Sequence, residues 1–277
     1  MKAMSIGKTL RMRRMMKTGR VVIVAVDHGN AAGVVRGLEN PVEVIKMAAQ
    51  AGADGILVTP GVLEQAIDVV GDLAIILRID GCVSILGSGP MELFSSVEQA
   101  VRLGVDAVVV NATVGAPHET AELEKVGTVA SQGRTWGVPV LAEMLSQRMM
   151  DNHMDFSGNG DGGLPVDIAS EVALASRLGA ELGADAIKTR YPGDPDSFRN
   201  IVQSTGRPIL IAGGPTRGTG LDSTLRLVDE VLEAGASGLV FGRTIWQSPE
   251  PMAMIRALSA MVHDDATVEE AVELASS

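Results

Sequence analysis

A chain of 277 residues is long enough for one α/β barrel or for two small domains, and the absence of a composition break favours one domain over 1–277. Hydrophobic residues make up 46% and aromatics only 3%, so Val, Ile, Leu, Ala and fourteen Met must fill the core, as in parallel strands buried on both faces. A net charge of −11 argues against nucleic acid and anionic membrane as partners, and it obliges a phosphorylated substrate to find a locally positive pocket.

The first twenty residues carry Lys2, Lys8, Arg11, Arg13, Arg14, Lys17 and Arg20 and no acid. A transit peptide has this bias, but Ile6, Leu10 and Met15–Met16 make a loose apolar stripe ending at Gly19, which predicts a leading helix that packs on the remainder of the chain. Val21–Val26 is a continuous apolar strand ending in Asp27, His28 and Gly29. A helix over Pro41–Gln50 and a strand over Gly55–Val58 come next. After a short helix, Leu73–Ile79 is a third strand closing on Asp80 and Gly81, and Ala107–Val110 is a fourth ending at Asn111 and Thr113. A polar helix spans Glu119–Trp136. Val138–Ala142 is the fifth strand and delivers Glu143 at its end. Leu145–Leu164 is predicted to be an irregular functional loop, and Val166–Leu182 a helix.

The sixth strand, Ala184–Thr189, ends in Lys188, Thr189 and Arg190 before Pro192 and Gly193 stop it. Pro208–Ile211 runs into Gly213 and Gly214, and Gly238–Phe241 into Gly242 and Arg243. Helices over Leu221–Leu232, Met252–Met261 and Thr267–Leu274 complete the chain. Eight short strands alternating with helices predict a (β/α)8 TIM barrel with an extra N-terminal helix, in which every strand end opens on one face. Asp27, Asp80, Asn111, Glu143 and Lys188 would then ring one mouth. A doubly wound open sheet is the competing architecture, but the turn after the first strand lacks a dinucleotide fingerprint.

The formal GxGxxG at Gly158, Gly160 and Gly163 has no strand before it and reads as loop flexibility. Asp151, His153 and Asp155 could hold a metal, but the four histidines are dispersed, so neither metal nor cofactor is expected. The single cysteine, Cys82, suits a reducing cytoplasm, and no apolar run reaches membrane-spanning length. Glycine turns on two adjacent strands, with Arg243 beside them, suit a phosphate: glycine lets backbone N–H groups approach the anion and the guanidinium supplies charge. Carbonyl chemistry without a metal needs another electron sink, and an imine on Lys188 is one. The amine must then lose its proton, through partial burial or a neighbouring cation such as Arg190. Asp27 and Glu143 either shuttle protons or pair with Lys188 and hold it.

The stretches IGKTLRMRRMMKTGR into VVIVAVDHG, GVPVLAEML, GADAIKTRYPGD, PILIAGGP and GLVFGRTIWQ resemble the class I aldolases of the DeoC/LacD/DhnA type, the group containing archaeal fructose-bisphosphate aldolase, over nearly the whole chain. The resemblance implies Lys188 as the Schiff-base lysine, Asp27 as its neighbouring carboxylate, Gly213, Gly214, Gly242 and Arg243 as phosphate binders, and a homo-oligomer, often a ring-based decamer. It implies retro-aldol cleavage of a phosphorylated ketose or related keto compound. Relatives include a thiolase acting on phosphorylated autoinducer-2 and an amino-sugar-forming transaldolase, so acyl or ketol transfer is an alternative, and a barrel that binds sugar phosphate without catalysis is another. The archaeal fructose-bisphosphate enzymes place Trp-x-Tyr after the fifth strand, where this chain has Glu143, Met144 and Leu145. Tagatose-bisphosphate aldolases carry a catalytic glutamate in a similar setting, which implies the proton-shuttling role for Glu143.

Overall fold

The computed structural model describes residues 5–153, 168–213 and 221–276. Among them, eight parallel strands close into a barrel: β1 (Val21–Ala25), β2 (Gly55–Val58), β3 (Ala74–Arg78), β4 (Ala107–Val114), β5 (Val140–Ser146), β6 (Ala186–Thr189), β7 (Ile209–Ala212) and β8 (Gly238–Phe241). Each pairs with its neighbours in sequence, and β8 closes on β1 with Gly238 opposite Val21. A side chain at Gly238 could not fit there, because its Cβ would lie 2.1 Å from the Val21 carbonyl oxygen.

Alternation along the strands separates two apolar layers. Val22, Val24, Ile56, Leu77, Val108, Val110, Ile187 and Leu239 face the helices and join the larger core. Val21, Ile23, Ala25, Leu57, Ala74, Ile76, Ala107, Val109, Leu141, Ala186, Leu210 and Val240 fill the barrel. Several helices start with proline in the first turn (Pro41, Pro60, Pro195, Pro251), and others end on a left-handed glycine such as Gly137, which keeps each crossover short. In the helix Leu221–Glu233, Leu225, Val228, Val231 and Leu232 form the buried stripe.

The leading helix, Ile6–Met15, closes the bottom of the barrel with only the second half of the stripe its spacing suggested, Met15 and Met16. Ile6 and Leu10 are 80% and 55% exposed. Met12, Met15 and Met16 pack on the barrel-filling layer, and buried Lys8 reaches Asp185 at 2.6 Å. Asp185 also accepts from the Val140 N–H at 2.9 Å, so this ion pair ties the helix to the starts of β5 and β6. The open end of a barrel needs a plug, and that need outweighs the weak periodicity of a short basic helix.

Two strands run further than expected. β4 and β5 pair in register from Val108 opposite Val140 to Val114 opposite Ser146, so Asn111 and Glu143 lie within strands and not at their ends. The expected loop over Leu145–Leu164 begins with the end of β5 and a helix, Gln147–His153; residues 154–167, and with them the GxGxxG stretch, lie outside the described residues. After β3, the chain forms a small antiparallel ribbon, Asp80–Gly81 against Glu92–Leu93. No helix among the described residues is long and apolar enough to cross a membrane.

Candidate active site

Two residues beyond the barrel-filling layer, the inward positions turn from apolar to polar, four of the five named here being charged. Ala25 is followed by Asp27, Ile76 by Arg78, Val109 by Asn111, Leu141 by Glu143 and Ala186 by Lys188. Strand register sets Asn111 opposite Glu143 and Glu143 opposite Lys188. The result is a row of polar side chains across β4, β5 and β6 with the apolar barrel below it.

The ion pairs in this layer converge on Arg78, which is 6% exposed. Its Nε donates to Asp27 Oδ2 at 2.9 Å, its Nη1 to Asp80 Oδ1 at 3.1 Å and its Nη2 to Glu143 Oε2. Lys188 Nζ lies 2.6 Å from the other Glu143 oxygen, Oε1. Asp80 in turn accepts from Lys125 Nζ and from the Asn111 N–H, both at 2.7 Å. Three carboxylates and three cations thus neutralise one another in a buried site, the condition under which buried charge is tolerated. Burial works against the Arg78 charge, but Glu143, Asp27 and Asp80 more than offset it and hold the guanidinium proton well above the ordinary arginine range.

Lys125 belongs to the helix Glu119–Trp136 and also donates to the Met91 carbonyl. Glu122, one turn earlier, accepts from the Thr113 N–H at 2.6 Å and the Met91 N–H at 3.3 Å. This helix therefore fixes the ends of β3 and β4 and the ribbon between them.

His28 joins the β1 end to the turn after β8. Its ring packs edge-on against Trp246, with centroids 5.3 Å apart, and Nδ1 lies 3.6 Å from Asp27 Oδ1. Burial pushes the imidazole down to about 4; Lys188 and Arg243 act in the same direction, against Asp27 and Glu143. It is therefore a neutral ring at neutral pH. Trp246 Nε1 donates to the Ala25 carbonyl at 3.0 Å. A Cβ at Gly242 would come within 2.4 Å of the His28 ring, and one at Gly213 within 2.7 Å of Thr244 Oγ1. Both glycines are thus required by close packing of the two turns.

A cavity of about 60 Å³ lies over this layer, lined by Asp27, Asn30, Arg78, Asn111, Glu143 and Lys188 among others. All five residues that the sequence placed around one mouth, Asp27, Asp80, Asn111, Glu143 and Lys188, meet here. Gly213, Gly242 and buried Arg243 sit at the ends of β7 and β8, beside but not lining this cavity. Arg190 is buried two residues beyond Lys188 and likewise does not line it; Gly214 lies outside the described residues. Asp151 accepts from Gln147 at 2.6 Å, whereas Asp155 and the His153 side chain lie outside the described residues.

Residues 21–248, from the first barrel strand to the turn beyond the eighth, match the model of the DeoC/LacD family aldolases. The chain belongs to that family. It is 34% identical over 270 residues to 2-amino-3,7-dideoxy-D-threo-hept-6-ulosonate synthase of Halobacterium salinarum, covering 96% of this chain and 95% of that one. It is 32% identical over 260 residues to fructose-bisphosphate aldolase class 1 of Thermoproteus tenax, covering 91% and 93%. Among solved structures, an archaeal fructose-1,6-bisphosphate aldolase whose catalytic lysine is covalently bound to the carbinolamine intermediate matches with a TM-score of 0.78 and 30% identity, covering 92% of this chain and 99% of that one. This protein is a class I aldolase, a lyase of the metal-independent, Schiff-base type.

In this aldolase the residue that sequence reasoning missed is Arg78. A signal was present: a charge inside an apolar strand, in phase with Ile76 and Asp80, has to be paired. Lys125 gave no such signal, because it lies in a helix whose other positions are also largely polar.

Proposed function

We propose that this aldolase breaks and forms a carbon–carbon bond in a phosphorylated ketose or related keto compound, with Lys188 as the imine-forming amine and Glu143 as its proton shuttle. The observation that carries this reading is the buried contact of 2.6 Å between Lys188 Nζ and Glu143 Oε1, with the second Glu143 oxygen fixed by Arg78. Glu143 accepts the proton that the lysine ammonium sheds, and the neutral amine attacks the substrate ketone. Returning that proton to the carbinolamine hydroxyl expels water and leaves an iminium. Removal of the proton from the hydroxyl beyond the scissile bond then lets its electron pair collapse to an aldehyde, while the bonding pair flows into the iminium as an enamine. Protonation at carbon and addition of water release the second product and restore the amine.

Asp27, held by Arg78 on the β1 side of the cavity, suits a hydrogen bond to a substrate hydroxyl. The phosphate belongs at the β7 and β8 turns, where Gly213 and Gly242 let the chain pack closely and Arg243 supplies charge; Gly214 and Arg190 complete the set drawn from the sequence. Self-association into a homo-oligomer is part of the same reading. It is supported by exposed Ile6, Leu10 and Trp136 at the barrel bottom, and light scattering checks it.

Borohydride, which reduces an imine to a stable secondary amine, tests the central claim. After incubation with phosphorylated ketoses and ketones, reduction and digestion, mass spectrometry is expected to find the adduct on the peptide containing Lys188. It should be absent from Lys188→Met. Adducts spread over surface lysines, or activity surviving Lys188→Met, would overturn the assignment.

A further inference from the structure

The cavity over Lys188, at about 60 Å³, is far smaller than the pockets that enclose small ligands, so a substrate of several carbons must extend out of it. One exit is a cleft of about 800 Å³ across the ends of β1 and β2, which shares Asp27 and Asn30 with the cavity. Its walls include Val34, Leu38 and Phe94. Among the described residues its lining contains no lysine, arginine or histidine, and its two charged members, Asp27 and Glu39, are both carboxylates. The other large cleft, about 660 Å³, meets the cavity only through Met91 and Met150, which offer no hydrogen bonds to a reacting hydroxyl.

We infer that the β1–β2 cleft is the subsite for the aldehyde half of the reaction, and that it takes an uncharged, partly apolar aldehyde and rejects a phosphorylated one. This rests on Lys188 being the imine-forming lysine. The polar junction at Asp27 and Asn30 suits the hydroxyl formed at the new bond, and apolar walls beyond it suit carbon chain. A phosphate dianion there would face Glu39, and Asp27 whose charge Arg78 already balances, with no lysine, arginine or histidine in the cleft lining among the described residues, a juxtaposition that costs on the order of tenfold in kcat/KM relative to a neutral aldehyde of similar size. Of the two substrate halves, then, only the one bound toward β7 and β8 carries phosphate.

The test is aldol addition by the full chain, with dihydroxyacetone phosphate and other phosphorylated ketones as donors and a panel of acceptors from propanal to hexanal set against glyceraldehyde 3-phosphate. Neutral aldehydes are expected to win. Gln65→Arg, at an exposed position of the same cleft, should shift the ratio toward the phosphorylated acceptor by about tenfold or more. Ligand-observed NMR with hexane-1,2-diol and glycerol 3-phosphate reads the cleft without turnover. The diol should show saturation transfer that Val34→Trp abolishes, and the phosphate should show none that Val34→Trp removes. Glyceraldehyde 3-phosphate outcompeting neutral aldehydes, or diol binding indifferent to Val34→Trp, overturns the inference even where borohydride labels Lys188. Failure to label Lys188 while the diol still binds the cleft would instead remove the proposed catalytic lysine.

Discussion

Replacing Arg78 by methionine keeps most of the side-chain length and removes the charge on which three carboxylates converge. In the native site Asp27, Asp80 and Glu143 balance Arg78, Lys125 and Lys188. The variant leaves one surplus negative charge in a buried layer. Asp80 keeps Lys125 and the Asn111 N–H, and Glu143 keeps Lys188, so the loss falls most heavily on Asp27, which retains the neutral His28 ring at 3.6 Å. Removing one partner of a buried ion pair costs about 3–5 kcal/mol. For a chain of 277 residues that corresponds to a melting temperature lower by roughly 5–9 °C. The folded variant can relieve the surplus by taking up one proton, so its deficit relative to wild type should be small at low pH and grow as pH rises between about 4 and 7. Urea unfolding of both proteins across that range measures the gap, and Arg78→Met with Asp27→Asn should close much of it at neutral pH. A pH-independent deficit below about 1 kcal/mol would mean that Arg78 is an ordinary packed side chain and would refute the neutral-cluster account.

Other outcomes rest on the same geometry. Glu143→Gln keeps the side-chain shape and an acceptor for only one of its two cationic neighbours, Arg78 and Lys188, and removes the base, so steady-state turnover should fall by about 10² to 10⁴ while borohydride still finds some imine. Arg243→Ala should raise KM far more than it lowers kcat, with a loss of roughly 2–5 kcal/mol in kcat/KM for a contact this buried; an unchanged KM would remove Arg243 from the phosphate site. The folded His28 value of about 4 lies below the ordinary 6.5, so the unfolded chain binds more protons between the two. Wild type should accordingly lose up to about 3 kcal/mol as pH falls from 6.5 to 4, and His28→Gln should lose less over the same interval in urea unfolding.

Much of the fold was legible because the signals are local. Apolar runs of four to eight residues mark barrel strands, proline and glycine mark where helices start and stop, and a period of two fixes which residues share a face. Lys188, Glu143 and Asp27 could be assigned to one mouth from the sequence alone because each stands where an apolar run stops, and all strand ends of a parallel barrel open on one face. Strand ends were less certain. β5 continues to Ser146 because it pairs with β4 as far as Val114, and that support comes from a neighbour, not from the segment itself.

Only the tertiary structure decided which charges meet. Arg78 lies 51 positions from Asp27 and 65 from Glu143, and nothing local says that one guanidinium will bridge both. Strand register and the tilt of a closed barrel bring them together, and the cost of leaving any one unpaired in a buried layer selects the arrangement. The same holds for Gly242, whose need for glycine comes from the His28 ring across the β8–β1 junction, and for the leading helix. Its own periodicity pointed to Ile6, Leu10 and Met15–Met16; the open barrel end took Met15 and Met16 with Met12 and Lys8, and left Ile6 and Leu10 exposed. Periodicity specifies a face, whereas the identity of what that face meets depends on residues far away in the chain.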